Sequence, residues 1–426
     1  MKYYNDFLSD LKTLISYQSV HGEYSKTAPF GEENKKALEY FLSIAKKMGF
    51  ETINYDNYAG EVVFGNGEEL GIIGHLDVVP AGDGWDTDPF TLTEKNGVLF
   101  GRGTLDDKAG TLMALYALKE LKDSGALINR KFRLFAGCNE ESGWKDVEYL
   151  KTKTTLPEYG FSPDGNFPLS YAEKGMYELI FSFPRLKNFS SLKGGTVVNA
   201  VCAYASCTAT KDGIDLQLIK KHGLTLKNGN VIESFGKSAH GSTPNLGKNA
   251  LVALFNYFLD MGENVKAVCD YITGDKANLS MLTNEQGSVT FSPDLLDEKD
   301  NKIIITADCR IPAPFTLQTV TDVLDKLDLN YSATHRHPPM IVEKDGWFVK
   351  TLLSAYNKIT GENATPISMG GSTFARAFKF GVAFGPSLPN GDNCCHEANE
   401  HVSVLDLKKS YEIYKTAIFD LSKANF

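Results

Sequence analysis

Between Gly71 and Pro80 the chain reads GIIGHLDVVP, a run of small apolar residues ending on a histidine and, two positions later, an aspartate. Pro80 bars much further extension, so the run reads as a short buried strand that stops where its chemistry begins. Residues 60–65 read as a second strand. Downstream, TLDDKAGTLMALYALKELKDSGA has Met113, Leu115, Leu118 and Leu121 on one helical face, with Gly125 as a stop. Phe132 to Gly137 then form another apolar strand, and two helices, over 4–17 and 33–48, precede them all. Strands alternating with helices specify an α/β fold with a mixed, mostly parallel sheet flanked by helices.

The pattern changes near Gly175. GMYELIFSFP alternates apolar and polar positions, as a half-exposed antiparallel strand does. Similar strands in GNVIESF and NKIIITADCRIP are mixed with helices near 248–261 and 316–328. This α+β pattern reads as an insertion, giving a first domain in two parts, 1–175 and 341–426, around an inserted domain, 176–340. A long helix ending at Gly361 and a buried strand in GVAFGPS resume the earlier style.

Composition narrows the function. A net charge of −9 over 426 residues argues against nucleic-acid binding, which needs clustered Lys and Arg. No stretch approaches the ~20 apolar residues of a membrane span. The first twenty residues lack the apolar core of a secretion signal. Seven cysteines without CxxC spacing suit free thiols in a reducing compartment, so a cytoplasmic location is expected.

Ligand sites in open α/β sheets form beyond the carboxyl ends of the strands. Just past successive predicted strands come His75 and Asp77, then Asp106 and Asp107, Glu140 and Glu141, Asp164, and finally His396. Carboxylates and imidazoles gathered at one sheet edge are costly to desolvate unless cations neutralise them. The mixed N/O donors suit zinc, and there are more of them than one tetrahedral ion needs. Taken singly each piece has a plainer reading: an HxD on a strand is usually structural, an EE pair a solvated face, and LDDK an N-cap.

The ordered stretches GHLDVVP, WDTDPF, GRGTLDDKAG, NEESG, SPDG, AEKG, GKSAHGSTP and HEANE together resemble the di-zinc metallopeptidases of the aminoacylase and carboxypeptidase G type. SPDG, CRIP and GGSTFAR are most similar to the bacterial dipeptidase V branch, which is carnosinase-like. The resemblance spans essentially the whole chain. It implies two zinc ions (manganese or cobalt being alternatives), with His75 and Asp164 on one, Glu141 and His396 on the other, and Asp106 bridging. Asp107 is the second choice for the bridge, and a cis peptide after the bridging aspartate is implied. Asp77 would orient His75, and Glu140 would be the general base. In the inserted domain the resemblance implies that His240 stabilises the oxyanion and Arg310 binds the substrate's C-terminal carboxylate. Asn199 would be a further contact, while Gly370, Gly371, Ser372 and Thr373 could present backbone N–H groups to that carboxylate. Arg376 either assists or caps a helix.

The implied activity is hydrolysis of dipeptides, β-Ala-Xaa included, by a metal-bridged hydroxide, in a monomer rather than a dimer. An N-acyl amino-acid deacylase, a desuccinylase or an aminotripeptidase would use the same residues. A non-catalytic metal-binding scaffold is the alternative of another class, and the presence of Glu140 speaks against it. His21, His222, His335, His337 and His401 match no site motif, Trp85 is expected to pack its loop, and neither sulfur of Cys394-Cys395 is expected to face a metal.

Overall fold

The structure is a computed structural model that describes residues 1–424, apart from the side chains of His335 and Arg336. The chain divides into two compact units, one of Met1–Tyr171, Val342–Ile367 and Thr373–Phe426, the other of Ala172–Ile341 with Ser368–Ser372. The expected α/β class is the one found.

In the first unit, helices α1 (Tyr4–Ser16) and α2 (Glu32–Lys47) lead into strands β1 (Glu51–Tyr55), β2 (Ala59–Gly65) and β3 (Glu68–His75). A small hairpin of β4 (Thr93–Lys95) and β5 (Val98–Phe100) precedes α3 (Lys108–Asp123). Then come β6 (Arg130–Gly137), α4 (Lys145–Lys153), β7 (Tyr159–Ser162) and β8 (Ser170–Glu173). The main sheet runs β1-β2-β6-β3-β7, then Phe380–Ala383, then β8. Its four central strands, β6, β3, β7 and Phe380–Ala383, are parallel, whereas β1, β2 and β8 join antiparallel at the margins. β1 has little apolar periodicity and was not legible in the sequence.

Helix α3 is buried almost all round, from Lys108 to Leu118, and not only along its apolar stripe. It lies between β3 on one side and α1 and the terminal helix Val404–Leu421 on the other. A helix covered on both sides has no face to leave polar. The glycines of β3 answer to similar crowding. A Cβ on Gly71 would stand 2.2 Å from the Phe378 ring, and one on Gly160 of β7 would stand 2.4 Å from it.

The second unit is built on an antiparallel sheet in the order 225–227, 231–235, 204–209, 189–194, 290–299, 302–311, 175–184, 331–337. Along Gly175–Pro184 the alternation read from sequence holds, with Tyr177, Leu179 and Phe181 buried. These rings share a core with Leu251, Leu254, Phe255 and Phe258 of helix Ala250–Asp260, and with Val320 and Leu324 of Leu317–Leu324. Phe and Tyr at helical spacing are core here, as expected.

Asp294 is fully buried in this unit, with Oδ1 accepting from the Ser292 hydroxyl at 2.5 Å and Oδ2 without a hydrogen-bond partner among the described residues. Burial, with Asp308 adding to it, pushes its carboxyl up to about 8 from 3.8. The folded state therefore keeps a proton that the unfolded chain releases above its own, lower pKa. Stability falls as pH rises between those two values, by up to about 1.4 kcal/mol per pH unit. We expect Asp294→Asn to flatten that slope, its advantage over the parent growing from pH 4 to pH 8 in thermal unfolding. A difference that does not change with pH would count against this.

Candidate metal centre

Of the expected ligands of the first unit, His75 ends a strand, Glu141 and Asp164 follow one closely, and Asp106 and His396 lie in longer loops. His75 is the last residue of β3 and pairs with Gly137, the last of β6, so the two strands finish level. Asn139-Glu140-Glu141 follow β6, Asp164 lies two residues beyond β7, and Asp106 precedes α3. His396 sits with φ 66° in the loop after Phe380–Ala383.

These side chains converge. Asp106 divides its carboxylate between two imidazoles: Oδ1 is 3.0 Å from His75 Nε2, and Oδ2 is 3.0 Å from His396 Nε2. Asp164 Oδ2 lies 3.7 Å from His75 Nε2, and Glu141 Oε2 lies 3.2 Å from His396 Nε2. Ligand atoms of His75, Glu140 and Asp164 fall within 4.8 Å of one another, as do those of His75, Asp106 and Glu141. Asp107 turns elsewhere, accepting from Thr111 Oγ1 at 2.8 Å and from the His75 N–H at 3.3 Å. Of the two candidates for the bridge, Asp106 alone touches both histidines. The Asp106–Asp107 peptide is cis.

Asp77 makes more contacts than its spacing suggested. His75 Nδ1 is 2.9 Å from the Asp77 carbonyl oxygen and 3.4 Å from its carboxylate. The carboxylate accepts the backbone N–H groups of Glu140 and Glu141, each at 3.1 Å. One residue thus orients the histidine and sets the backbone of the EE pair. Asp146 of α4 supports the same loop from below, accepting from the N–H groups of Cys138 (2.7 Å) and Asn139 (2.8 Å).

Electrostatics test whether cations fit. Burial, then repulsion from the surrounding carboxylates, pushes Glu140 and Asp107 well above the ordinary carboxyl range and Glu141 up to about 7, despite opposing terms from the histidines. Burial alone would lower His75, but Asp106, Asp164 and Asp77 outweigh it and hold the imidazole well above its usual value. Asp77, Asp106, Glu140, Glu141 and Asp164 around the imidazoles of His75 and His396 form a site that bound divalent cations would relieve, and its imidazole and carboxylate donors are those such ions take.

Glycine makes room for this packing. A Cβ on Gly74 would lie 2.0 Å from Thr111 Oγ1 and 2.3 Å from Asp107 Oδ2. We expect Gly74→Ala to displace that pair and cost about 1–3 kcal/mol as an overpacked core position, read as a lower unfolding midpoint. An unchanged midpoint would show that the pair yields freely.

Other expectations resolve locally. Trp85 packs its loop, donating from Nε1 to the Ala81 carbonyl at 2.7 Å. Cys394 is buried with Sγ 3.5 Å from His401 Nδ1, and all seven cysteines are free. Arg376 lies in the short turn Phe374–Ala377, where Thr373 Oγ1 accepts the Ala375 N–H at 3.2 Å.

In the second unit, Asn199 and Arg310 line one cavity of about 350 Å³ together with Asp308, Glu178 and Met176. Arg310 is buried. Its Nε donates to both Asp308 oxygens (2.9 and 2.7 Å), and Nη1 donates to the Gly370 carbonyl at 3.1 Å. The Gly370–Ser372 segment therefore offers Arg310 a carbonyl, whereas the sequence suggested only N–H groups. His240 pairs its backbone with Ala200, and its Nδ1 is 2.7 Å from Ser242 Oγ. Glu400, Arg102 and Asp146 were not singled out from sequence. The carboxylate four places beyond His396, in HEANE, was the available signal for Glu400.

Among the described residues no helix is long and apolar enough to cross a membrane. The family model described as Peptidase family M20/M25/M40 matches residues 71–420. The β-Ala-Xaa dipeptidase of Lactobacillus delbrueckii subsp. lactis is 34% identical, over 98% of this chain and 96% of its own length. Among solved structures, human carnosine dipeptidase 1 matches with a TM-score of 0.64 at 15% identity, covering 99% of this chain and 97% of its own. The di-peptidase Dug1p of Saccharomyces cerevisiae matches with a TM-score of 0.62 at 15% identity, covering 100% and 97%. At that identity the structures speak for the fold, while the family model spans most of the chain and the bacterial relative nearly all of it. This chain belongs to peptidase family M20/M25/M40.

Proposed function

We propose that this chain is a cytoplasmic, monomeric, metal-dependent dipeptidase that hydrolyses Xaa-Xaa dipeptides, with β-Ala-Xaa among its substrates. The observation that carries the reading is the Asp106 carboxylate shared between His75 and His396, with Asp164 and Glu141 alongside. The named activity of the Lactobacillus relative supports the substrate class.

His75 and Asp164 would hold one zinc ion, Glu141 and His396 a second, and Asp106 both; manganese or cobalt suits the same donors. Such ions, when bound, supply Lewis acidity and make water acidic enough to ionise near neutral pH. The remaining steps fall to the chain. Glu140 takes the proton of the attacking water and returns it to the leaving amine. Its position follows from the Asp77 carboxylate, which holds the Glu140 N–H at 3.1 Å. In the second unit, His240 stabilises the oxyanion, Arg310 binds the C-terminal carboxylate, and Asn199, Gly370, Gly371 and Ser372 complete the substrate contacts. Capture of that terminal carboxylate makes the last peptide bond of the substrate the one cleaved, and the limit to two residues is read from the named activity of the Lactobacillus relative.

The test is a panel of Ala-Ala, β-Ala-His, Leu-Gly-Gly and an N-acetyl amino acid, with metal removed by chelator and restored. Dipeptide cleavage, lost and regained with metal, is the expected result. Equal cleavage of the tripeptide would overturn the dipeptide limit, and cleavage of the acylated substrate alone would make the protein a deacylase. Two bound metals with no cleavage at all would leave a scaffold.

A further inference from the structure

We infer that Glu400 is a positioning residue that sets the Asp106 and His396 loops relative to each other, and so governs metal binding at both positions. Glu400 is fully buried, and its carboxylate is an acceptor for the loop that carries Asp106. Oε1 accepts the N–H groups of Gly103 (3.0 Å), Leu105 (2.8 Å) and Asp106 (3.1 Å). Oε2 accepts from Arg102 Nη1 at 2.8 Å. Three amides of one loop turned onto one carboxylate form a fixed concave anion site, and here the anion belongs to the protein itself.

The backbone repeats the link. Gly101 N–H donates to the Glu400 carbonyl at 3.0 Å, and His401 pairs with Phe100 in a short antiparallel ladder. Glu400 lies four residues beyond His396 and is hydrogen-bonded to the Asp106 amide itself. A shift of its carboxylate therefore moves the two groups that meet at 3.0 Å, His396 Nε2 and Asp106 Oδ2. Arg102 extends the clamp to a third loop. Its Nη2 reaches the carbonyls of Pro80 (3.4 Å) and Ala81 (3.3 Å), just past His75 and Asp77, and its guanidinium lies 5.2 Å from the centre of the Trp85 ring. The segments bearing His75, Asp106 and His396 thus meet at one buried Arg–Glu pair that touches none of the imidazoles.

Glutamine at 400 has nearly the same shape but one acceptor oxygen becomes an N–H donor, which must then face either Arg102 or the amides. The inference rests on the metal site of the proposed function, so binding is read without substrate. Zn²⁺ affinity is measured by chelator competition and the Co²⁺ absorption spectrum is recorded, for the parent and for Glu400→Gln. We expect affinity to fall by about 10- to 100-fold, the range for residues that orient metal ligands. The Co²⁺ bands should move, and with dipeptide kcat should fall while KM stays within about threefold. A role confined to stability would lower the unfolding temperature and leave affinity and spectrum as in the parent, and that result overturns the inference. Should Glu400→Gln not fold, Arg102→Lys keeps Glu400 and its three amide donors, while a single ammonium replaces the fork that reaches both the Glu400 carboxylate and the Pro80–Ala81 carbonyls. It is read by the same two measurements, and unchanged values there also overturn the inference. If the parent binds two ions but cleaves no dipeptide, the proposed activity fails while this inference is still decided by the binding data.

Discussion

Glu140→Gln is expected to lower kcat on a dipeptide by about 10²–10⁴-fold, the range for a lost general acid–base group, while KM changes little. Glutamine keeps the length of the side chain and the N–H that Asp77 accepts at 3.1 Å, so the loop has no reason to move. What is removed is the capacity to take a proton. Burial, then the nearby carboxylates, push its carboxyl well above the ordinary range, and bound cations would reduce that repulsion. Steady-state kinetics with metal analysis of the same sample checks the prediction. Retention of kcat within tenfold at full metal content would remove Glu140 from the role, whereas loss of metal would show that it acts as a ligand beside His75 and Asp164.

The second large effect is on stability and lies away from the metal site. Arg133 of β6 meets Glu61 of β2 as a two-pronged ion pair, Nε to Oε1 at 2.6 Å and Nη2 to Oε2 at 3.0 Å. Glu61 is 1% exposed, and Tyr55 donates its hydroxyl to the same carboxylate at 2.6 Å. Nη1 of Arg133 also donates to the Thr155 carbonyl at 2.7 Å. Arg133→Met leaves the glutamate buried with a phenol as its remaining partner. Removing one member of a buried pair costs about 3–5 kcal/mol, chiefly because the other charge is stranded. Glu61→Leu with Arg133→Met should recover most of that loss, since apolar pairs of similar volume replace buried ions nearly without cost. Unfolding midpoints of the parent, the single and the double variant decide it. A single variant within about 1 kcal/mol of the parent would mean that water reaches Glu61, contrary to its burial.

What depends on neighbours along the chain was legible before any tertiary contact was known. The run Gly71–Ile73 specified a buried strand, the alternation in Gly175–Pro184 a half-covered one, and the residues just past several strand ends pointed to the sheet edge that carries the candidate ligand set. Which distant groups meet was set by the fold. A spacing of two along a strand puts Asp77 on the same side as His75, yet its carboxylate accepts amides 63 and 64 residues away, because β3 and β6 end level in one sheet. Likewise the two oxygens of Asp106 meet His75 and His396, while Glu400 found a donor 295 residues back along the chain. Spacing along a strand or helix sets the direction of a side chain. What lies in that direction is set by strand order and by the loops that strand order brings together, and no local pattern encodes that order.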